Sequence, residues 1–257
     1  MTLLCTVRGC MLPLAQQGER LECARGHSFD VSRHGYVNLL QPQDKRSRHP
    51  GDTREAVAGR RRLHDSGATR PLLDGIGEVL TLAADDAVLD AGCGEGYYLG
   101  ELAARTGCAA AGVDISVAAI EAAARRYPTA QWVVANADRF APFADESFTV
   151  VQSITARMNP GEFRRVLRPG GRLLVAVPAV DDLRELRGEG RDRVERTVAD
   201  FAAHFRLESR RQATAHADLE ASLVQAVRHL IYRPLTAEAP EAMRVTFSLD
   251  LLLFRPV

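Results

Sequence analysis

From about residue 70 onward, short apolar runs alternate with amphipathic stretches. Ala87–Asp90 reads as an apolar strand that enters a glycine-rich loop, and Leu99–Arg105 reads as the helix that follows. Ala109–Asp114 is a second apolar run closed by an acid. Val117–Arg126 is Ala-rich and helical, and Tyr127-Pro128 stops it. Trp132–Ala135, Phe148–Ser153 and Arg172–Val177 continue the series of strands. Gly161–Val166 is a short helix, and Pro169-Gly170-Gly171 is a turn. Strands alternating with helices at this spacing predict an α/β fold with a mostly parallel, Rossmann-like sheet. The tail from Val194 to Val257 predicts one more helix and two strands, with Arg244–Phe254 as a closing edge strand.

The first 70 residues follow a different rule. Residues 1–40 are rich in Cys, His and Gly and read as turns, and residues 41–70 form a polar, basic linker or helix. The organisation predicted is a small module over 1–40, that linker, and an α/β domain over 71–257. Lys+Arg and Asp+Glu number 33 each, so the net charge is zero and does not by itself announce a nucleic-acid partner. The first 62 residues nevertheless hold eleven of the basic residues against six acids, which suits contact with a polyanion. The start lacks a basic region followed by an apolar run, and no apolar stretch approaches a membrane span, so a soluble cytoplasmic protein without membrane contact is expected.

Candidate chemistry begins at Asp90-Ala91-Gly92-Cys93-Gly94-Glu95-Gly96-Tyr97. Glycines between a strand and a helix let backbone approach a ligand. An acid ahead of them, Asp90, can receive an ammonium group. Asp114, ending the second strand, can accept both hydroxyls of a ribose. Asn136-Ala137-Asp138, after the third strand, can reach an adenine. With the Arg168-Pro169-Gly170-Gly171 turn, this order resembles the Class I S-adenosylmethionine (SAM)-dependent methyltransferases. The alternative is a nucleotide-binding α/β domain of another kind. The cofactor set expected is Asp90, Gly92, Gly94, Glu95, Gly96, Tyr97, Asp114, Ile115, Asn136, Ala137, Asp138 and Ser153. Cys93 is read as packing.

The second signal is Cys5-x4-Cys10-x12-Cys23-x3-His27. Three thiolates and an imidazole make a closed tetrahedral set for Zn²⁺, in a zinc-ribbon-like segment too poor in apolar residues to hold a core alone. Scattered structural cysteines are the alternative. His34 lies outside this set and reads as a surface or structural residue.

Together with Gly26-His27-Ser28-Phe29-Asp30, Gly35-Tyr36-Val37-Asn38-Leu39-Leu40 and Lys45-Arg46-Ser47-Arg48-His49-Pro50-Gly51-Asp52, these motifs resemble the bacterial 23S rRNA (guanine-N1)-methyltransferases. That family includes housekeeping enzymes and tylosin/mycinamicin-type macrolide-resistance enzymes. The resemblance covers roughly residues 3–190. It implies a zinc domain, a SAM domain, homodimers, and methylation of a guanine in a hairpin loop of 23S rRNA. It places Cys5, Cys10, Cys23 and His27 on the zinc ligands, and Gly94, Glu95 and Thr69 on cofactor positions. Three positions depart from the family: Thr69 stands where it has Tyr, Arg157 follows Ala156 where it has Pro, and Asp182 precedes Leu183 where it commonly has His. They bear on the target. Asp182 is a candidate proton acceptor and Arg157 a candidate stabiliser of charge on guanine O6, while Lys45, Arg46, Arg48, Arg60 and Arg61 are candidate phosphate contacts. Methylation of a small molecule, or SAM and RNA binding without catalysis, are the rival readings.

Overall fold

The computed structural model describes residues 1–44, 50–230 and 241–257. An amino-terminal three-stranded antiparallel sheet comprises β1 (Leu14–Gln17), β2 (Arg20–Cys23) and β3 (Ser28–Asp30). The next strand, β4 (Val37–Asn38), leaves that ribbon and pairs parallel with the main sheet. Helices α1 (Arg54–Asp65) and α2 (Arg70–Leu80) follow. Then come β5 (Ala87–Ala91), α3 (Tyr97–Thr106), β6 (Ala109–Asp114), α4 (Val117–Arg126), β7 (Gln131–Val134), β8 (Phe148–Ile154), α5 (Pro160–Val166) and β9 (Leu167–Pro178). The tail holds α6 (Arg184–Arg187), α7 (Val194–Phe201), β10 (Phe205–Leu219), α8 (Ala221–Leu230) and β11 (Met243–Pro256).

The main sheet has eight strands in the order β10-β11-β9-β8-β5-β6-β7-β4. Six run parallel, and β11 and β10 pair antiparallel at one end. The order reverses between β5 and β8, so the crevice at their carboxyl ends is the natural ligand site of such a sheet. The predicted α/β fold and its central strands are observed.

The tail differs from expectation in two ways. It contains α7 and α8 as substantial helices, not one, and Arg244–Phe254 is not an edge. It lies between β10 and β9, and β10 is the edge strand. Thr246, Ser248 and Asp250 look like a solvent face in the sequence, yet all three are buried. Each finds a partner: Thr246 bonds Glu185, Ser248 N–H donates to Asp182, and Asp250 accepts from Arg210. Buried polar groups are tolerated when paired this way.

One face of the sheet is covered by α2, α3 and α4, through residues such as Leu73, Ile76, Leu99 and Ile120. On the other face α5 and α7 contribute Phe163 and Phe201. The crossover from β7 to β8 carries no helix. The ribbon fills the space instead. Leu3, Cys5, Cys10, Leu14 and Cys23 share a core with Phe143 and Phe148, and Leu4 N–H donates to Pro142 O at 3.0 Å. Among the described residues no helix is long and apolar enough to cross a membrane.

Candidate functional site

β5 delivers Asp90 to the crevice, and the loop Gly92–Gly96 turns the chain into α3. Gly92 has φ +84°, and a Cβ there would lie 2.3 Å from Ala156 Cβ, so the loop presses directly on the end of β8. A Cβ on Gly96 would come within 2.4 Å of the Trp132 ring. Gly96 therefore answers to core packing as well as to its left-handed turn.

Asp90 is fully buried. Gln152 Nε2, across the strand pair, donates to its Oδ2 at 2.9 Å. Among the described residues its Oδ1 has no partner, and neither do Gln152 Oε1 and the Ser153 hydroxyl. Burial pushes the Asp90 carboxyl up to about 7, opposed by the Gln152 bond. Unspent acceptors at the head of a glycine loop fit an ammonium-bearing ligand such as SAM. Asp114 Oδ2 accepts from Gly94 N–H at 2.9 Å and its Oδ1 from Ser116 N–H at 2.8 Å. Each oxygen keeps a lone pair for a ribose hydroxyl, and Ile115 packs on the core behind it.

Further along the sheet end, Asn136 Nδ2 donates to Asp44 O at 3.1 Å, and Arg139 pairs with Asp44. The segment before residue 45 therefore crosses the Asn136-Ala137-Asp138 loop. Arg157 is largely exposed and stands 3.7 Å from Asp138 Oδ2. Asp182 is turned inward: Arg187 Nη2 donates to its Oδ2 at 2.7 Å, and Ser248 N–H to its Oδ1 at 2.9 Å. Burial pushes the Asp182 carboxyl up to about 6.

The structure brings together residues that the sequence kept apart. Glu95 is 5% exposed and lies 3.2 Å from Arg60 Nη1 and 3.3 Å from His64 Nε2. Burial alone would raise its carboxyl, but the His64 contact and the Arg60 charge outweigh burial and hold it below the usual range. Arg60 also pairs with Asp52, whose backbone carbonyl accepts from the Ser116 hydroxyl at 2.8 Å. The His64 ring stacks on Tyr97 at 3.9 Å, and Nδ1 meets the buried Thr69 hydroxyl at 2.6 Å. Thus Arg60 faces the cofactor loop, not the solvent where a phosphate would meet it. Its neighbour Arg61 is outside, 3.6 Å from Asp65. Lys45, Arg46 and Arg48 lie outside the described residues. The signal for Arg60 was periodic: it sits between Val57 and His64 on the stripe that α1 buries.

In the ribbon, the ligand atoms of Cys5, Cys10, Cys23 and His27 lie within 4.8 Å of one another. Cys5 Sγ is 3.4 Å and Cys23 Sγ 3.5 Å from His27 Nδ1, and Cys10 Sγ is 3.7 Å from Cys23 Sγ. Four ligands about 2.0–2.3 Å from a tetrahedral Zn²⁺ require such separations. The wide Cys5–Cys10 spacing is taken up by a turn in which Cys10 N–H donates to Val7 O at 2.9 Å.

Known proteins match both halves. Residues 5–48 match the zinc-ribbon family described as "RlmA, N-terminal", and residues 88–171 match the family described as "Methyltransferase domain". A 23S rRNA (guanine(748)-N(1))-methyltransferase of Streptomyces fradiae is 38% identical over 182 residues, covering 69% of this chain and 64% of that protein. A Bacillus subtilis protein provisionally named a 23S rRNA (guanine-N1)-methyltransferase is also 38% identical, over 67% of this chain and 63% of its own. The chain thus spans under two thirds of the length of these relatives. The fold matches a SAM-dependent methyltransferase from Thiobacillus denitrificans, solved with S-adenosyl-L-homocysteine. The TM-score is 0.50 at 18% identity, over 72% of this chain and 90% of that one. An RlmA-type zinc ribbon joined to a methyltransferase domain thus makes the chain similar, over the matched residues, to the 23S rRNA (guanine-N1)-methyltransferases.

Proposed function

We propose that this protein transfers a methyl group from SAM to N1 of a guanine in a hairpin loop of 23S rRNA, in the cytoplasm and as a homodimer. The observation that carries the reading is the junction of two sites in one chain. The Cys5/Cys10/Cys23/His27 cluster shares a core with the very sheet whose carboxyl end holds Asp90, Glu95 and Asp114. A zinc module packed into the core of a methyltransferase domain suits a large, structured substrate better than a small molecule.

SAM supplies an electrophilic methyl on a sulfonium. The chain's own residues do the rest. Asp90 receives the ammonium end, Asp114 the ribose, and the loop at Asn136 and Asp138 the adenine. Zn²⁺ on the four ribbon ligands holds that module's shape. Guanine N1 carries a proton that would pass to solvent as the new N–C bond forms and the S–CH3 bond breaks to release S-adenosyl-L-homocysteine, and positioning supplies most of the rate. Arg157, exposed beside Asp138, is the group we assign to stabilise charge on O6. Asp182 already accepts from Arg187 and Ser248, so it fits a supporting role better than that of a proton acceptor.

The test is transfer of labelled methyl from SAM to protein-free 23S rRNA, followed by primer extension, which N1 methylation of guanine blocks. A single new stop at a loop guanine is expected. Label that stays out of RNA and enters small molecules would replace this reading with its rival.

A further inference from the structure

Three arginines from separate parts of the chain meet on one exposed surface. Arg33 lies in the loop between β3 and β4, Arg54 opens α1, and Arg125 is in the last turn of α4. Arg33 Nε and Arg125 Nε both donate to His34 Nε2, each at 3.2 Å. An imidazole nitrogen offers one lone pair. Two guanidinium groups therefore share one acceptor, and among the described residues no carboxylate bridges the two. Glu121 is the carboxylate of the group: Arg125 Nη2 donates to its Oε1 at 2.5 Å and Arg54 Nη2 to its Oε2 at 3.1 Å. Among the described residues, Arg33 has no carboxylate within ion-pair distance. Three positive charges thus stand against one negative, with most of their N–H forks turned to solvent.

We infer that Arg33, Arg54 and Arg125 form an RNA-phosphate site that bridges the zinc ribbon and the methyltransferase domain. It rests on the rRNA reading above and deepens it by naming the contact. A phosphate offers what the His34 nitrogen cannot, several acceptor oxygens and a full negative charge for two forks at once. The site joins both modules: the ribbon contributes Arg33 and His34, the SAM domain Arg125. Arg54 is also the first helical residue after the basic stretch Lys45–Arg48, so the chain's basic sequence runs into it. Glu121 holds Arg54 and Arg125 in position without cancelling the set.

The test is fluorescence anisotropy of a synthetic RNA stem-loop with guanines in its loop, bound to the full-length protein across a potassium chloride series. Each phosphate contact contributes about 0.7–0.9 to the slope of log affinity against log salt. Arg33→Gln/Arg125→Gln, which removes both forks from the one phosphate, should lower that slope by about 0.7–0.9 and weaken binding about tenfold near physiological salt. SAM affinity by calorimetry and zinc content should match the unaltered protein, because all the changed side chains are exposed. His34→Ala, which removes the shared acceptor but no charge, should keep the full slope. A double variant with the full slope overturns this site and leaves the methyltransferase reading standing. A His34→Ala slope as low as the double variant's also overturns it, since loop shape and not charge would then be responsible. Failure of the unaltered protein to bind the stem-loop at any salt, while it still binds SAM, removes the rRNA reading and this site with it.

Discussion

Asp90 and Asp114 look alike in the sequence, each an acid closing an apolar strand, yet their surroundings separate them. Asp114 takes two backbone N–H donors, whereas Asp90 keeps one oxygen with no partner inside the core. The folded value of Asp90 is raised to about 7 by burial, so the folded protein holds that proton more tightly than the unfolded chain does. The stabilisation is full below about pH 4 and is lost as pH rises through 7. Asp90→Asn should therefore melt higher than the unaltered protein at pH 8 and nearly equally at pH 4, by scanning calorimetry. It should also lose SAM binding. In the unaltered protein the ammonium needs an ionised Asp90, so SAM affinity should fall about tenfold per pH unit below 7. A flat profile from pH 5.5 to 8 in isothermal titration would contradict this role. Both acids were legible because strand ends and glycines fix where they stand. Their different hydrogen bonding was not, because the Asp90 partner Gln152 lies sixty-two residues away in the chain.

At the scale of elements, α1 shows how neighbouring residues take opposite parts. Arg60 pairs with Glu95 and Asp52 inside, and Arg61 meets Asp65 in solvent. Arg60→Met leaves a buried carboxylate with only His64 and should cost about 3 kcal/mol in urea unfolding. Arg61→Met should cost less than about 1 kcal/mol. Equal costs would contradict the inward placement. Arg60 and Arg61 read alike as basic sequence, and only the 57-60-64 stripe distinguishes them. β11 taught the converse. Thr246, Ser248 and Asp250 look like a wet face, but Glu185, Asp182 and Arg210 reach across to satisfy them. Partners contributed by α6, by the turn before it and by β10 cannot be seen from one strand's pattern.

Across the whole molecule, the zinc ribbon takes the place of a crossover helix. Its cysteines share a core with Phe143 and Phe148, so it is a structural wall of the sheet. Chelating the metal, or Cys23→Ser, should raise hydrogen exchange in β7 and around Phe143 as well as in the ribbon. Faster exchange confined to residues 1–30 would show the ribbon to be a mere appendage. The cysteine spacing was legible as a metal site. Its union with the sheet was not, because Leu3 and Phe143 meet only after the chain has closed.

The central claim is that one chain joins this ribbon to a SAM site in order to modify ribosomal RNA. Mass mapping of nuclease fragments of 23S rRNA, from cells with and without the protein, tests it most directly. The account predicts one fragment heavier by a single methyl group only when the protein is present, with that methyl on a hairpin-loop guanine. Identical fragment masses in both samples would contradict it.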